Sequence, residues 1–109
     1  MGSSLTEAVA EAGEPTVEYI FHLYITGATP NSTRAVRNIK EICELHLKGR
    51  YELLIMDIYQ QPELAKQEQI IAAPTLVKKR PLPARRLIGD LSDRARVLAA
   101  LGLQDLPLQ

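Results

Sequence analysis

The residues of this chain best able to do chemistry are one cysteine, two histidines and an aspartate closing an apolar run. Cys43 and His46 stand three apart, so a helix would put them on one face, as a nucleophile with its base or as two metal ligands. Two ligands fall short of the three or four that a zinc site needs, and His22 belongs to a separate segment. A lone cysteine also excludes an internal disulfide and any multi-cysteine metal cage. Free cysteine behaves as a small hydrophobe, so we expect Cys43 to pack inside. Dithiol redox chemistry needs two cysteines two residues apart where a strand meets its helix, because the helix N-terminus lowers the thiol pKa. That place reads Thr29-Pro30-Asn31-Ser32 here, and its hydroxyls cannot form a disulfide. Asp57 closes a strand, a favoured place for function in open α/β sheets, without a phosphate loop or a second carboxylate beside it. The chain carries no G-x-G-x-x-G, no P-loop and no G-x-S-x-G. We expect no catalytic residue, no cofactor and no metal.

Charge is the other chemical feature. Thirteen lysines and arginines balance thirteen aspartates and glutamates, and the zero sum hides a segregation. Residues 1–18 hold Glu7, Glu11, Glu14 and Glu18 with no basic residue. Residues 78–96 hold Lys78, Lys79, Arg80, Arg85, Arg86, Arg94 and Arg96 against Asp90 and Asp93. The basic pairs flank Pro81-Leu82-Pro83 and can form an anion-facing hairpin. Nucleic acid is one partner for such a feature, but aliphatic residues stand where single-strand binders place stacking aromatics. An acidic protein surface is a second, since charge complementarity sets orientation and association rate. A solvated sheet edge guarded by basic residues is the third.

The elements that must position these groups follow from periodicity. Tyr19, Phe21, Leu23 and Ile25 share one face of an extended run, and Ile20, His22 and Tyr24 the other, as in a central strand covered on both sides. Gly27 to Ser32 breaks that strand, and Asn31 or Ser32 can cap the next helix. Val36, Ile39, Cys43 and Leu47 recur at helical spacing, with Arg34, Arg37, Asn38, Glu41, Glu44 and Lys48 opposite, and Lys48-Gly49 as a stop. Tyr51 to Ile58 is almost wholly apolar, which predicts a second strand buried on both faces and a right-handed crossover between parallel strands. Pro62 can open a short helix to Gln69. Thr75-Leu76-Val77 and Arg85-Arg86-Leu87-Ile88 are strand candidates. Asp90 or Ser92 can cap a last helix whose apolar face is Val97, Leu98 and Leu101 and which Gly102 stops. The order β-α-β-α-β-β-α is that of a thioredoxin-like α/β domain, although the short second-half elements leave other arrangements open.

With 109 residues, 46% of them hydrophobic, the chain fits one domain with a small core. We divide it into a flexible acidic leader, 1–15, a domain over 16–103 and a short tail, 104–109. No apolar run approaches the roughly 20 residues that cross a bilayer. We therefore expect a cytoplasmic protein without a membrane or nucleic-acid partner.

Longer stretches carry a resemblance. They are Leu23 to Ser32, Asp57-Ile58 with Gln61 to Ala65, Ile71 to Leu76, and above all Pro81 to Arg94. From Tyr19 to Leu103 the chain resembles the KaiB family of circadian-clock proteins, and a similar domain forms the sensor part of a clock histidine kinase. The resemblance implies a non-enzymatic protein that binds the N-terminal ATPase ring of the hexameric ATPase KaiC and helps set its phosphorylation rhythm. KaiA or the clock histidine kinase is implied as a further partner, and self-association as dimer or tetramer. It also implies fold switching between a thioredoxin-like monomer and a tetrameric ground state with a rearranged second half. Arg34 and the strand bearing Tyr51, Leu54 and Asp57 are then docking candidates, together with Lys78, Arg85 and Arg86. Pro74, Gly89, Asp90, Ala100 and Gly102 are fold-switch candidates.

Departures from the cyanobacterial pattern accompany the likeness. The longer acidic tail is replaced by Asp105-Leu106-Pro107-Leu108-Gln109, and the common Gly-Leu-Asp by Ala100-Leu101-Gly102. Leu54 and Gln69 stand where the family has lysines that help dock the ATPase. A divergent paralogue in stress or metabolic signalling, working with its own ATPase and without KaiA, is the alternative expectation, and a redox protein using Cys43 a further one.

Overall fold

A computed structural model describes residues 17–70 and 73–103. Tyr19–Ile25 forms β1, with Phe21, Leu23 and Tyr24 fully buried. Pro30–His46 forms α1 and Tyr51–Asp57 forms β2. Pro62–Glu68 forms α2, Thr75–Arg80 β3, Arg85–Ile88 β4 and Arg94–Leu101 α3. The sheet order is β2-β1-β3-β4, with β1 parallel to β2 and the other two pairings antiparallel. This is the expected thioredoxin-like order, with the second half in its thioredoxin-like arrangement. The expected leader, 1–15, and tail, 104–109, lie outside the described residues, as does residue 16 at the start of the expected domain.

The core fills the space between one face of the sheet and helices α1 and α3. Phe21, Leu23, Leu76 and Leu87 meet Ile39, Ile42, Cys43 and Leu47 of α1 and its end, and Val97, Leu98 and Leu101 of α3. Each large side chain so enclosed contributes about 1.5–3 kcal/mol relative to exposure. The opposite face is covered only partly by α2, which has no fully buried residue of its own. Arg86 donates to the Glu68 and Gln69 carbonyls, and Lys79 pairs with Glu68 at 3.3 Å, so α2 is held by polar contacts to β3 and β4.

Several local expectations change. The second strand is an edge strand, paired only with β1, and Glu52, Leu54 and Ile55 are exposed. An apolar run alone does not say which strand stands at the border of a sheet. The cap of α1 is Thr29, whose hydroxyl accepts from the Ser32 N–H at 3.3 Å, not Asn31 or Ser32. Pro30 takes the first helical position, where its missing N–H costs nothing, and that puts the cap ahead of both Asn31 and Ser32. Asp93, accepting from the Arg96 N–H, caps α3 in place of Asp90 or Ser92. Gly102, in the left-handed region at φ +76°, ends that helix as expected.

Candidate partner-binding surface

The loop where a dithiol enzyme keeps its cysteines is occupied with holding itself together. The Thr29 hydroxyl caps α1, and the fully buried Ser32 hydroxyl accepts from the Thr26 N–H at 3.1 Å. Cys43 sits about three turns further along, with no exposed surface, on the core side of α1. Burial pushes its thiol up to about 12, and the neighbouring Glu44 adds to the effect. At neutral pH it is a protonated packing group, and the thiolate that nucleophilic chemistry needs does not form. His46 lies in the last turn of α1, with a buried Nε2 that has no hydrogen-bond partner among the described residues. His22 is on β1, facing Tyr24 edge-on. Among the described residues, no three His, Cys, Asp or Glu side chains converge as metal ligands.

Asp57 has a structural task. Its Oδ1 accepts from the Gly27 N–H at 3.2 Å and the Tyr59 N–H at 2.9 Å, tying together the loops at the ends of β1 and β2. Gly27 lies at φ +59°, and a Cβ there would stand 3.7 Å from the Tyr59 ring, so its glycine answers to backbone conformation and not to lack of room.

Exposed apolar side chains stand along β2 and in the turn after it. Leu54 is 43% exposed and Tyr59 72%, with Ile55 exposed between them. One open groove runs beside this edge, and a second lies between α1 and the end of β1. The first, of about 530 Å³, lies between Lys40 and Glu44 of α1 and Tyr51, Leu53 and Ile55 of β2. The other, of about 480 Å³, is lined by Ile25, Ala28, Val36 and Arg37, and Lys40 borders both. Tyr51 donates to Glu44 Oε2 at 2.7 Å, and that bond raises the phenol to about 12. The surface is thus an apolar strip with Lys40 and the Tyr51-bonded Glu44 on its helical rim.

The structure sorts the candidates of the sequence. Tyr51 and Leu54 meet along β2 as expected, with Asp57 at its end. Arg34 does not join them, because its Nε donates to Asp90 Oδ2 at 3.1 Å, and it also bonds Asn31. The cation beside the strip is Lys40, and Arg37 lies with it in the second groove; sequence reading passed over both as docking residues. Their signal was available, since Thr33, Arg37, Lys40 and Glu44 recur at helical spacing on the polar side of α1. The basic hairpin forms, but not as a uniform anion-facing surface. Lys78 is only 5% exposed, with its ammonium pKa lowered by burial and then by Arg85, and Arg86 is occupied at the end of α2. Arg80 and Arg85 are the exposed remainder.

The fold-switch candidates cluster more closely. The Pro74 carbonyl accepts from the Gly89 N–H at 2.9 Å, so the start of β3 is joined to the loop after β4. Asp90 follows, its carbonyl accepting from Asn38 Nδ2 at 2.8 Å. Leu91 then holds φ +64° with a buried side chain. Ala100 and Gly102 lie at the end of α3.

Comparison with known proteins agrees with this architecture. Residues 22–103 match the family described as KaiB, KaiB domain. The chain is 49% identical over 89 residues to the circadian clock oscillator protein KaiB of Synechococcus elongatus, covering 82% of this chain and 87% of that protein. It is 53% identical over 85 residues to the protein of that name from Prochlorococcus marinus subsp. pastoris, covering 78% and 79%. Among solved structures, the N-terminal domain of Synechococcus elongatus SasA superposes with a TM-score of 0.64 at 23% identity, covering 84% of this chain and 90% of that one. Mitochondrial thioredoxin 3 from Saccharomyces cerevisiae gives 0.64 at 15% identity, covering 91% and 90%. The structural likeness carries the fold and the sequence likeness carries the family: this chain belongs to the KaiB family.

Proposed function

We propose that this chain is a non-enzymatic clock or clock-like regulator that docks on the N-terminal ATPase ring of a KaiC-type ATPase and adjusts its phosphorylation cycle. The single observation that carries the reading is the exposed apolar surface of Leu54 and Ile55 on the unpaired edge β2, with Tyr59 in the turn after it. Edge strands offer unpaired backbone groups, and a long apolar one is a place where another chain adds. In a KaiB-family protein, that chain is the family's ATPase. Lys40 supplies charge beside the strip that orients the encounter, and KaiA or a clock histidine kinase is the further partner. The sealed Cys43 removes the thiol that a redox reading requires.

The test is capture of a KaiC-type ATPase from the same genome by the immobilised chain, with and without ATP. Capture by the wild type, lost in Leu54→Asp and weakened in Lys40→Glu, supports the reading. No capture in either nucleotide state, with both proteins folded, overturns it.

Leu54 and Gln69 support a second reading on the partner's identity. Leu54 is exposed at the middle of β2, and Gln69 is exposed at φ +58° after α2. Apolar and neutral groups at these positions suit a paralogous ATPase working without KaiA. Side-by-side capture of a cyanobacterial KaiC and the genome's own KaiC-type protein separates the two readings.

A further inference from the structure

We propose that the groove between α1 and the end of β1 binds a small amphipathic anion, an apolar body carrying one carboxylate. The groove holds about 480 Å³, within the roughly 300–1,000 Å³ of small-molecule sites. It lies at the carboxyl end of β1, where the chain turns into its crossover helix, a favoured place for ligands in open α/β sheets. Ile25 and Val36, both partly buried against the core, and the exposed Ala28 make its apolar wall. The buried Ser32 also lines it, with its hydroxyl accepting from the Thr26 N–H at 3.1 Å. An apolar body laid on this end therefore leaves that hydroxyl with its partner, and the burial costs no hydrogen bond there.

The other end is cationic. Arg37 and Lys40 stand one helical turn apart on the α1 side, further along the helix from the Gly27–Ala28 turn. The groove is thus polarised in the way an amphipathic anion is. From Ser32 to Lys40 the helix rises about 12 Å, a length that suits a medium acyl chain or two fused rings. The head is a carboxylate for a positional reason. Phosphate sites use the N–H groups at a helix start, and here the Ser32 and Thr33 N–H groups bond Thr29. Arg37 lies beyond that first turn, and its planar guanidinium matches a carboxylate with two parallel hydrogen bonds. Lys40 also borders the groove beside β2, so a bound anion competes with any partner that uses Lys40. The site itself needs no ATPase, and failure of ATPase capture leaves it standing.

The experiment is an amide-shift titration of the full ¹⁵N-labelled chain with decanoate, kept below micelle formation, beside a titration with acetate. Saturable shifts of Ile25, Ala28 and Val36 with decanoate, and far weaker binding of acetate, support the site. Arg37→Gln with Lys40→Gln should weaken decanoate about fivefold, as expected from removing two exposed charge pairs. Ala28→Glu sets a carboxylate at the apolar end and should abolish binding. All three positions are exposed, and unshifted amides of β3 and α3 show that each variant is folded. Absence of saturable shifts in the wild type overturns the proposal. Acetate binding as well as decanoate overturns it, because the groove then offers charge alone. Equal affinity in the double variant overturns it too, as do equal shifts around Leu82 and Ile88, which mark a general coating of exposed apolar side chains.

Discussion

Arg34 on α1 donates its Nε–H to Asp90 Oδ2 at 3.1 Å, joining the first helix to the loop between β4 and α3. Asn38, one turn on, donates to the Asp90 carbonyl, so two residues of α1 fix one residue of the second half. Hydrogen bonds from Ser92 and then Arg34 hold the Asp90 carboxyl below its ordinary value of 3.8. A carboxyl with a depressed folded pKa stabilises the fold above its unfolded pKa, and the contribution disappears as pH falls through the folded value. Urea midpoints should therefore fall on acidification below about pH 4, and Arg34→Ala should make that fall shallower. An identical acid limb in the variant would show that the pair contributes nothing.

Cys43 yields a prediction at the other end of the pH scale. Its thiol ionises at about 12 when folded, against an ordinary value of 9.0. A raised folded pKa gives stability that is complete below the unfolded value and lost as pH climbs towards the folded one. Stability should decline between those limits, and Cys43→Ala should remove part of the decline. The native thiol should resist an aromatic disulfide reagent at neutral pH and react at once in denaturant. Cys43→Ser places a hydroxyl among Ile39, Ile42 and Phe21 and should cost about 1–3 kcal/mol. Insulin reduction by the wild type would sink the non-redox reading.

Much of this fold was legible because period and breaker agree. Alternation in Tyr19 to Ile25, the helical stripe of Ile39 and Cys43, and the glycine at 102 each point to one element, and each forms. The border position of β2 was not legible, because Leu53, Leu54 and Ile55 read alike whether a neighbour strand or a partner covers them. Caps were displaced by a residue or more, since Thr29, Asn31 and Ser32 are all competent and Pro30 decides among them. The candidate surface was half legible. Tyr51 and Leu54 follow from the strand, whereas Arg34 and Lys40 lie on one helix and only packing says which borders β2. Lys78 and Arg85 belong to one charged cluster in sequence, but register pairs them across a hairpin with one buried and one exposed.

The exposed Leu54 tests the family relationship from the partner's side. Where the resemblance puts a docking lysine, this chain presents an apolar side chain on β2. Leu54→Lys should strengthen capture of a cyanobacterial KaiC several-fold at low salt, because one exposed charge pair is worth about 0.2–1 kcal/mol. It should weaken capture of the genome's own KaiC-type ATPase by the lost apolar contact. Titration of both ATPases against both variants checks the crossing of affinities. Parallel changes for the two would remove Leu54 from partner choice.

The end of α3 tests which arrangement of the second half the chain prefers. Ala100 lies inside the helix and Gly102 closes it in the left-handed region, with nothing within 4 Å of the position a Cβ would take. Gly102→Ala thus meets a backbone penalty alone, about 1–2 kcal/mol, and no clash. Ala100→Gly lowers helix propensity by up to about 1 kcal/mol and also removes a methyl packed against the core. We propose that Ala100 biases this chain towards the thioredoxin-like arrangement relative to members with glycine there. If so, the free wild type should give amide spectra with Arg94–Leu101 helical and Thr75–Arg80 paired to β1. Ala100→Gly should raise a second set of peaks from residues 73–103 while leaving β1, α1 and β2 in place. The same pair of substitutions separates bias from simple loss of stability. Gly102→Ala should lower the urea midpoint at least as much, and if it raises the same second peak set in proportion, the effect is fraying of α3 and the special role of Ala100 falls.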